Sequence, residues 1–268
     1  MPRRKILITG VYGLIGGAVY RHLQAQPDRY DVYALARRRV PSDRAGERPP
    51  LEIPPEKFTL TDLTDQEALR RAAAGVNTVI HMAANPNSGD PWERIMPSNI
   101  VGTYHVFEAC RQAGVKRVIC ASSLMANWGY QLDEPYKAIR ECRFEELPAE
   151  IPIVTHLDPV RPTDIYSASK VWSEALARVY ADVHGLSCIC LRIGWVNDVD
   201  RPYEPGLAAV WCSQRDIVDL VERCVNAPEE LRFDIFFGVS DNRYRWVDLE
   251  HPRQVLGYVP LDRAERFL

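Results

Sequence analysis

The stretch ILITGVYGLIG, residues 6–16, runs an apolar strand pattern into three glycines, Gly10, Gly13 and Gly16. The spacing is G-x-x-G-x-x-G, and Leu14 to Leu23 continue with helical periodicity. A strand that turns tightly into a helix presents free backbone N–H groups and a positive dipole end at the turn. Glycines there allow a pyrophosphate close to the backbone. The triplet alone is a weak signal, but here a strand precedes it and a helix follows. The stretch therefore reads as a dinucleotide-binding turn, with Tyr12, Leu14 and Ile15 as cofactor contacts beside the glycines.

Short apolar runs recur downstream: DVYALA (31–36), VNTVIHMA (76–83), KRVICAS (116–122) and LSCICLRI (186–193). Helical patterns lie between them, at Asp65 to Ala74, Asn99 to Ala113 and Asp164 to His184. Strand alternating with helix predicts a parallel sheet with crossover helices. Runs apolar nearly throughout fit a sheet covered on both faces. The expected fold is α/β, a Rossmann-like doubly wound sheet. Residues 1–194 form the dinucleotide-binding domain. Residues 195–268 form a small C-terminal substrate-binding region, not an independent domain. That region holds a helix at 213–225, with Ser213 as its N-cap, and a strand at 233–240. Two long loops stand out, 39–55 and 130–162. The first is expected to be exposed; loops as long as the second are usually functional or disordered.

Composition bounds the function. The 268 residues are 46% hydrophobic and 26% charged, as in ordinary globular proteins. A formal net charge of −3 offers no nucleic-acid or anionic-membrane footprint. No apolar run reaches the length of a membrane span, about 18 residues, and the basic start leads straight into the glycine turn. A cytoplasmic location is expected. The seven cysteines are odd in number and contain no CxxC, so neither a disulfide framework nor a zinc site is expected.

The usual mark of NAD is an acid at the end of the second strand, bonded to ribose hydroxyls. Asp31 stands at the start of that strand instead. The strand end reads Leu35-Ala36-Arg37-Arg38-Arg39, where Arg37 can pair with a 2′-phosphate. The plain alternative is a solvated basic turn. NADP(H) is the preferred cofactor, with NAD(H) as the alternative.

In this order the pieces TGVYGLIG, TDLTD (61–65), VIHMAA (79–84), NIVGTYHVFEAC (99–110), RVICASS (117–123), YSASK (166–170) and CLRIG (190–194) resemble the extended short-chain dehydrogenase/reductases, the NAD(P)-dependent epimerase/dehydratase family. The stretches VWCSQRDIVDLVERCV (210–225) and FGVSDNRYRWVDLEHPRQVLGYVP (237–260) resemble its uronate dehydrogenase branch. The resemblance implies residue roles. Asp62 and Leu63, after the third strand, would meet the adenine. Ala83 and Ala84 would line the nicotinamide half of the cofactor. Asn99 would hold the central helix and an active-site water. Ser123, Tyr166 and Lys170 would form the catalytic set. Asn85 and Arg192 are further candidates for substrate contact, with a buried pair or a backbone contact as the alternative for Arg192, and a homodimer through the helices starting at Asn99 and carrying Tyr166 is implied.

The chemistry suits these residue types. A hydride leaves carbon only as the attached hydroxyl loses its proton, so a base must sit at that oxygen. A free tyrosine ionises near pH ~10, and an ammonium one helical turn away favours the phenolate. A serine at a strand end can bond the reacting oxygen, since ligands gather at the carboxyl ends of such strands. The plain alternative for Y-x-x-x-K is a solvated helix face.

Some features depart from the family. The serine lies one residue further from Trp128-Gly129 than is common, which leaves Ser122 open beside Ser123. Leu124 and Met125 stand where dehydratases carry an acid pair, which disfavours dehydration. The segment around 133–152 is longer than usual, and reads either as a cover for substrate or as an inert surface excursion. The branch's arginine for a sugar carboxylate lies a few residues before the tryptophan matching Trp211, and EPGLAAV (204–210) contains none, with Arg201 nearby but displaced. The expected function is an NAD(P)-dependent oxidoreductase acting on a sugar, sugar acid or related hydroxy or carbonyl compound. The alternatives are a sugar epimerase and a non-catalytic dinucleotide sensor.

Overall fold

In the computed structural model, which describes residues 3–267, one parallel sheet of seven strands runs through the molecule in the order β3-β2-β1-β4-β5-β6-β7. The strands are β1 (Arg4–Thr9), β2 (Tyr30–Ala36), β3 (Phe58–Leu60), β4 (Thr78–His81), β5 (Arg117–Ser123), β6 (Ser187–Ile193) and β7 (Phe233–Gly238). The helices are α1 (Leu14–Gln24), α2 (Gln66–Ala73), α3 (Trp92–Ile95), α4 (Thr103–Ala113), α5 (Tyr136–Arg140), α6 (Ile165–His184), α7 (Gln214–Asn226) and α8 (Glu250–Leu256). A π-helical stretch, Met96–Gly102, joins α3 to α4. The doubly wound Rossmann-like fold read from the sequence is the fold observed.

Strand alternation divides the core between two faces. Ile6, Ile8, Ile189 and Leu191 pack with α1 and α7, through Val19, Leu23, Leu220 and Val221. Leu7, Cys188 and Cys190 pack on the other face with Leu69, Phe107, Ala177 and Tyr180 of α2, α4 and α6. Burial on both faces is why these strands read as unbroken apolar runs. The strand β3 was not among those runs. It is a three-residue edge strand, with Leu60 57% exposed, too short to show a pattern.

The C-terminal region extends this sheet. The strand β7 pairs parallel with β6, and α7 packs beside α1. The expected cap at Ser213 is present, its Oγ accepting the Asp216 N–H at 3.0 Å.

Both long loops make packing contacts. The 39–55 loop is mostly exposed, as expected, while folding back on α1: Ser42 N donates to the Tyr12 carbonyl at 2.9 Å, and Ala45 is buried. The segment after β5 forms a 3-10 helix, Leu124–Leu132, then α5, then an extended run to α6. Ala138 and Ile139 are buried, and Val154 bridges Val247. The segment is therefore packed onto the fold through its helix.

Candidate active site

The glycine turn fits a dinucleotide. Gly10 has φ +71°, and a Cβ there would stand 2.7 Å from the Ala83 backbone nitrogen. A Cβ on Gly16 would lie 2.4 Å from the Gly10 carbonyl oxygen. Gly10 and Gly16 therefore admit no side chain, and Gly13 caps α1 without a side-chain hydrogen bond, leaving its first N–H groups for an anion. Tyr12, Leu14 and Ile15 line this same turn.

Asp31 is confirmed at the start of β2. Its carboxylate receives the Lys57 ammonium at 2.6 Å, a bond that holds its pKa below the usual range. Arg37 follows the last residue of β2 and is exposed. Asp62 accepts the backbone N–H of Thr64 at 3.0 Å, shaping the loop after β3. Leu63 is buried against Gly102, where a Cβ would come within 2.6 Å of the leucine Cβ.

The loop after β4 is held from two sides. Ala83 N donates to Thr9 Oγ1 at 3.2 Å, and Thr9 Oγ1 meets His81 Nδ1 at 2.8 Å. His81 Nε2 meets Thr103 Oγ1 at 3.1 Å, completing a buried chain from β1 through β4 to α4. Burial, with the Lys170 ammonium adding, lowers the His81 pKa to about 3, so the imidazole is neutral and each nitrogen bonds one threonine. From the other side, Asn99 Oδ1 accepts Asn85 N at 2.7 Å, while its Nδ2 donates to Asn85 O at 3.0 Å and to Ser169 Oγ at 3.1 Å. Asn99 thus ties the loop holding Ala84 and Asn85 to α6. The Asn85 amide itself donates to Asp90 at 2.8 Å and shapes the 85–94 loop.

The helix α6 brings Tyr166 and Lys170 to one face. Asp164 caps it, accepting Ser167 N at 2.7 Å, while Ser167 Oγ accepts Asp164 N at 3.0 Å, a reciprocal capping box. Each serine of YSASK has a local duty: Ser167 closes the cap and Ser169 receives Asn99. Lys170 is buried, with Nζ 5.6 Å from the Tyr166 ring centroid and donating to the Ala121 carbonyl at 2.7 Å.

The two serines at the end of β5 point to opposite sides of the strand. Ser122 Oγ donates to Glu174 Oε1 at 2.6 Å and is committed there. Ser123 Oγ accepts Met125 N at 3.1 Å, which leaves its own proton without an acceptor among the described residues.

Arg192 corrects an expectation. It is 2% exposed, and Nε and Nη2 grip the two carboxylate oxygens of Glu174 at 2.9 and 2.8 Å. The buried-pair alternative is thus the one observed, and the Arg192 guanidinium is part of the core. A second polar cluster joins His156, Asp234 and His251. The two imidazoles stack face to face, 3.9 Å apart and 15° from parallel, with His251 bonded to Asp234 at 2.7 Å. An ion cannot lie in both ring planes at once, so the stack reads as a clasp between the 133–163 segment and α8.

Sequence reasoning missed His81, Thr103 and Glu174. Glu174 left one trace, its i+4 spacing from Lys170; His81 left another, a lone polar residue inside an apolar run.

A family profile described as the NAD dependent epimerase/dehydratase family matches residues 6–196, from the glycine turn to the end of β6. The chain belongs to the NAD dependent epimerase/dehydratase family. Among family relatives, it is 34% identical to the NAD-dependent glucose-6-phosphate dehydrogenase of Haloferax volcanii, over 98% of this chain and 95% of that one. It is 32% identical to the L-arabinose 1-dehydrogenase (NAD(P)(+)) of the same organism, over 97% of each. In structure it resembles the uronate dehydrogenase of Agrobacterium tumefaciens, with TM-score 0.79 and 28% identity, over 100% of this chain and 88% of that one.

Proposed function

We propose that this epimerase/dehydratase family member is an NAD(P)-dependent dehydrogenase that oxidises a sugar hydroxyl, with Tyr166 as the base. The observation that carries the reading is the placement of Tyr166 and the buried Lys170 on one face of α6, beside the carboxyl end of β5. The similarity to dehydrogenases of glucose 6-phosphate and L-arabinose along nearly the whole chain supports a simple sugar or sugar phosphate as substrate, not one carried on a nucleotide.

The bound nicotinamide would supply the hydride acceptor. Gly10, Gly13 and Gly16 would hold the pyrophosphate, Asp62 and Leu63 the adenine side, and Ala83 and Ala84 the nicotinamide side. Tyr166 takes the hydroxyl proton as the carbon–hydrogen bond breaks. Lys170 places a positive charge beside the developing phenolate and reaches the ribose. Ser123 donates its free proton to the reacting oxygen, orienting it. Thr9, His81 and Asn99 position the loop after β4.

NADP(H) remains the preferred cofactor of this proposal. Arg37 at the end of β2, without an acid beside it, supports it. The names of the relatives point mostly to NAD, so NAD(H) is the competing outcome. A homodimer through α4 and α6 is supported by exposed Tyr104, Val179 and Val183 on those helices, and a cytoplasmic location by the lack of any described helix long and apolar enough to cross a membrane.

The test is a panel of aldoses, uronates and sugar phosphates with each cofactor, followed at the reduced nicotinamide absorbance. Tyr166→Phe should lower kcat by about 10²- to 10⁴-fold while cofactor affinity holds. A Tyr166→Phe enzyme that keeps most of its kcat refutes the mechanism.

A further inference from the structure

The loops leaving the carboxyl ends of β5, β6 and β7 converge around α5. The helix packs on the 3-10 segments 124–132 and 205–210. The ring of Tyr136, at its start, lies 5.6 Å from that of Trp246. Ligands of such sheets bind at this edge.

At the other end of α5, Arg140 packs against Gly206. A Cβ on Gly206 would come within 2.3 Å of the Arg140 carbonyl oxygen and 2.5 Å of its Nη1. Gly206 does not have a positive φ. The glycine is therefore required by the close approach and not by backbone conformation. What it admits first is the Arg140 backbone, with the guanidinium Nη1 alongside.

Most neighbouring arginines are paired; Arg201, like Arg140, is exposed without a carboxylate partner among the described residues and serves as the control below. Arg143 takes Glu134, Glu141 and Glu146, Arg161 takes Asp133, Arg192 takes Glu174, and Arg245 takes Asp241. Arg140 is exposed and has no carboxylate or side-chain hydrogen-bond partner among the described residues. Its charge is free for a ligand, and EPGLAAV, the stretch it leans on, has no arginine of its own.

We propose that Arg140 binds an anionic group of the sugar substrate, a carboxylate or phosphate oxyanion. The proposal rests on the sugar dehydrogenase reading above and names the class of sugar. A guanidinium offers paired N–H donors in a fork that fits either oxyanion. The 133–152 segment then delivers a specificity residue to the mouth of the site.

The experiment compares wild type, Arg140→Met, Arg140→Lys and Arg201→Met on glucuronate, glucose 6-phosphate and glucose. Methionine keeps an apolar stem across Gly206 and removes the charge. Wild type should prefer one of the anionic sugars. In Arg140→Met that preference should fall about ten- to a hundredfold, through KM with little change in kcat, and Arg140→Lys should recover part of it. The anionic sugar that loses its advantage tells carboxylate from phosphate. The proposal is overturned if wild type prefers glucose, if Arg140→Met keeps the preference, if the loss falls on Arg201→Met instead, or if kcat and cofactor affinity collapse together. No turnover of any sugar by wild type overturns the sugar reading itself, and this proposal with it.

Discussion

Glu174 holds Arg192 through both carboxylate oxygens, and the same carboxylate takes the Ser122 hydroxyl. Neither charged side chain meets solvent, so each depends on the other. Removing one partner strands the other. Glu174→Gln should cost about 3–5 kcal/mol of stability, read from urea unfolding. A Glu174→Leu/Arg192→Met double variant should lie well above the single variant. A single variant as stable as wild type would contradict the pairing.

The two serines at the end of β5 should separate by readout. Ser123→Ala should lower kcat by about ten- to a thousandfold with little change in stability. Ser122→Ala leaves a Glu174 lone pair unmet and should cost about 1–3 kcal/mol, with kcat changed far less. Steady-state kinetics and urea unfolding on both variants check this, and the reverse assignment makes Ser122 the catalytic serine.

His81 makes the fold sensitive to acid. Its folded-state pKa is depressed to about 3, below the unfolded value of about 6.5. The unfolded chain therefore binds the proton first. The contribution is complete above pH ~6.5 and is lost as pH falls toward ~3. Between pH 7 and 5 this group alone should remove about 2 kcal/mol. In His81→Gln that part of the pH dependence should vanish, measured by urea titrations at the two pH values. An unchanged slope would mean the imidazole is not held neutral by the fold.

Arg37→Ala should weaken NADPH about tenfold and leave NADH nearly unaffected, by fluorescence titration. Equal NADPH affinity in the variant removes the basis for the NADP(H) preference.

The sheet was legible because strands buried on two faces are apolar at most positions, and the glycine turn named its edge. The site was legible where chemistry and spacing coincide: Tyr166 and Lys170 sit one helical turn apart in a motif that needs no tertiary information. Arg192 stayed between substrate contact and buried pair because a sequence shows a charge but not its partner, and Glu174 lies on another element. The strand β3 escaped because an edge strand of three residues has no period to detect. Arg140 escaped for a different reason: its meaning depends on Gly206, 66 residues away, and on a hydrogen atom where other residues carry a side chain.

The segment that carries Arg140 ends at Asp164, whose carboxylate seats the first turn of α6, and Tyr166 follows two residues later. On the proposed roles, recognition and proton transfer would be wired in series along one piece of chain. Such a loop is not an exchangeable module. An insertion or deletion within it must still bring Asp164 to the same point, or the base swings away from the reacting oxygen. New specificities in this lineage are accessible by point changes on α5 that keep the loop's length, and grafts of foreign loops should fail at the chemical step before they fail at binding.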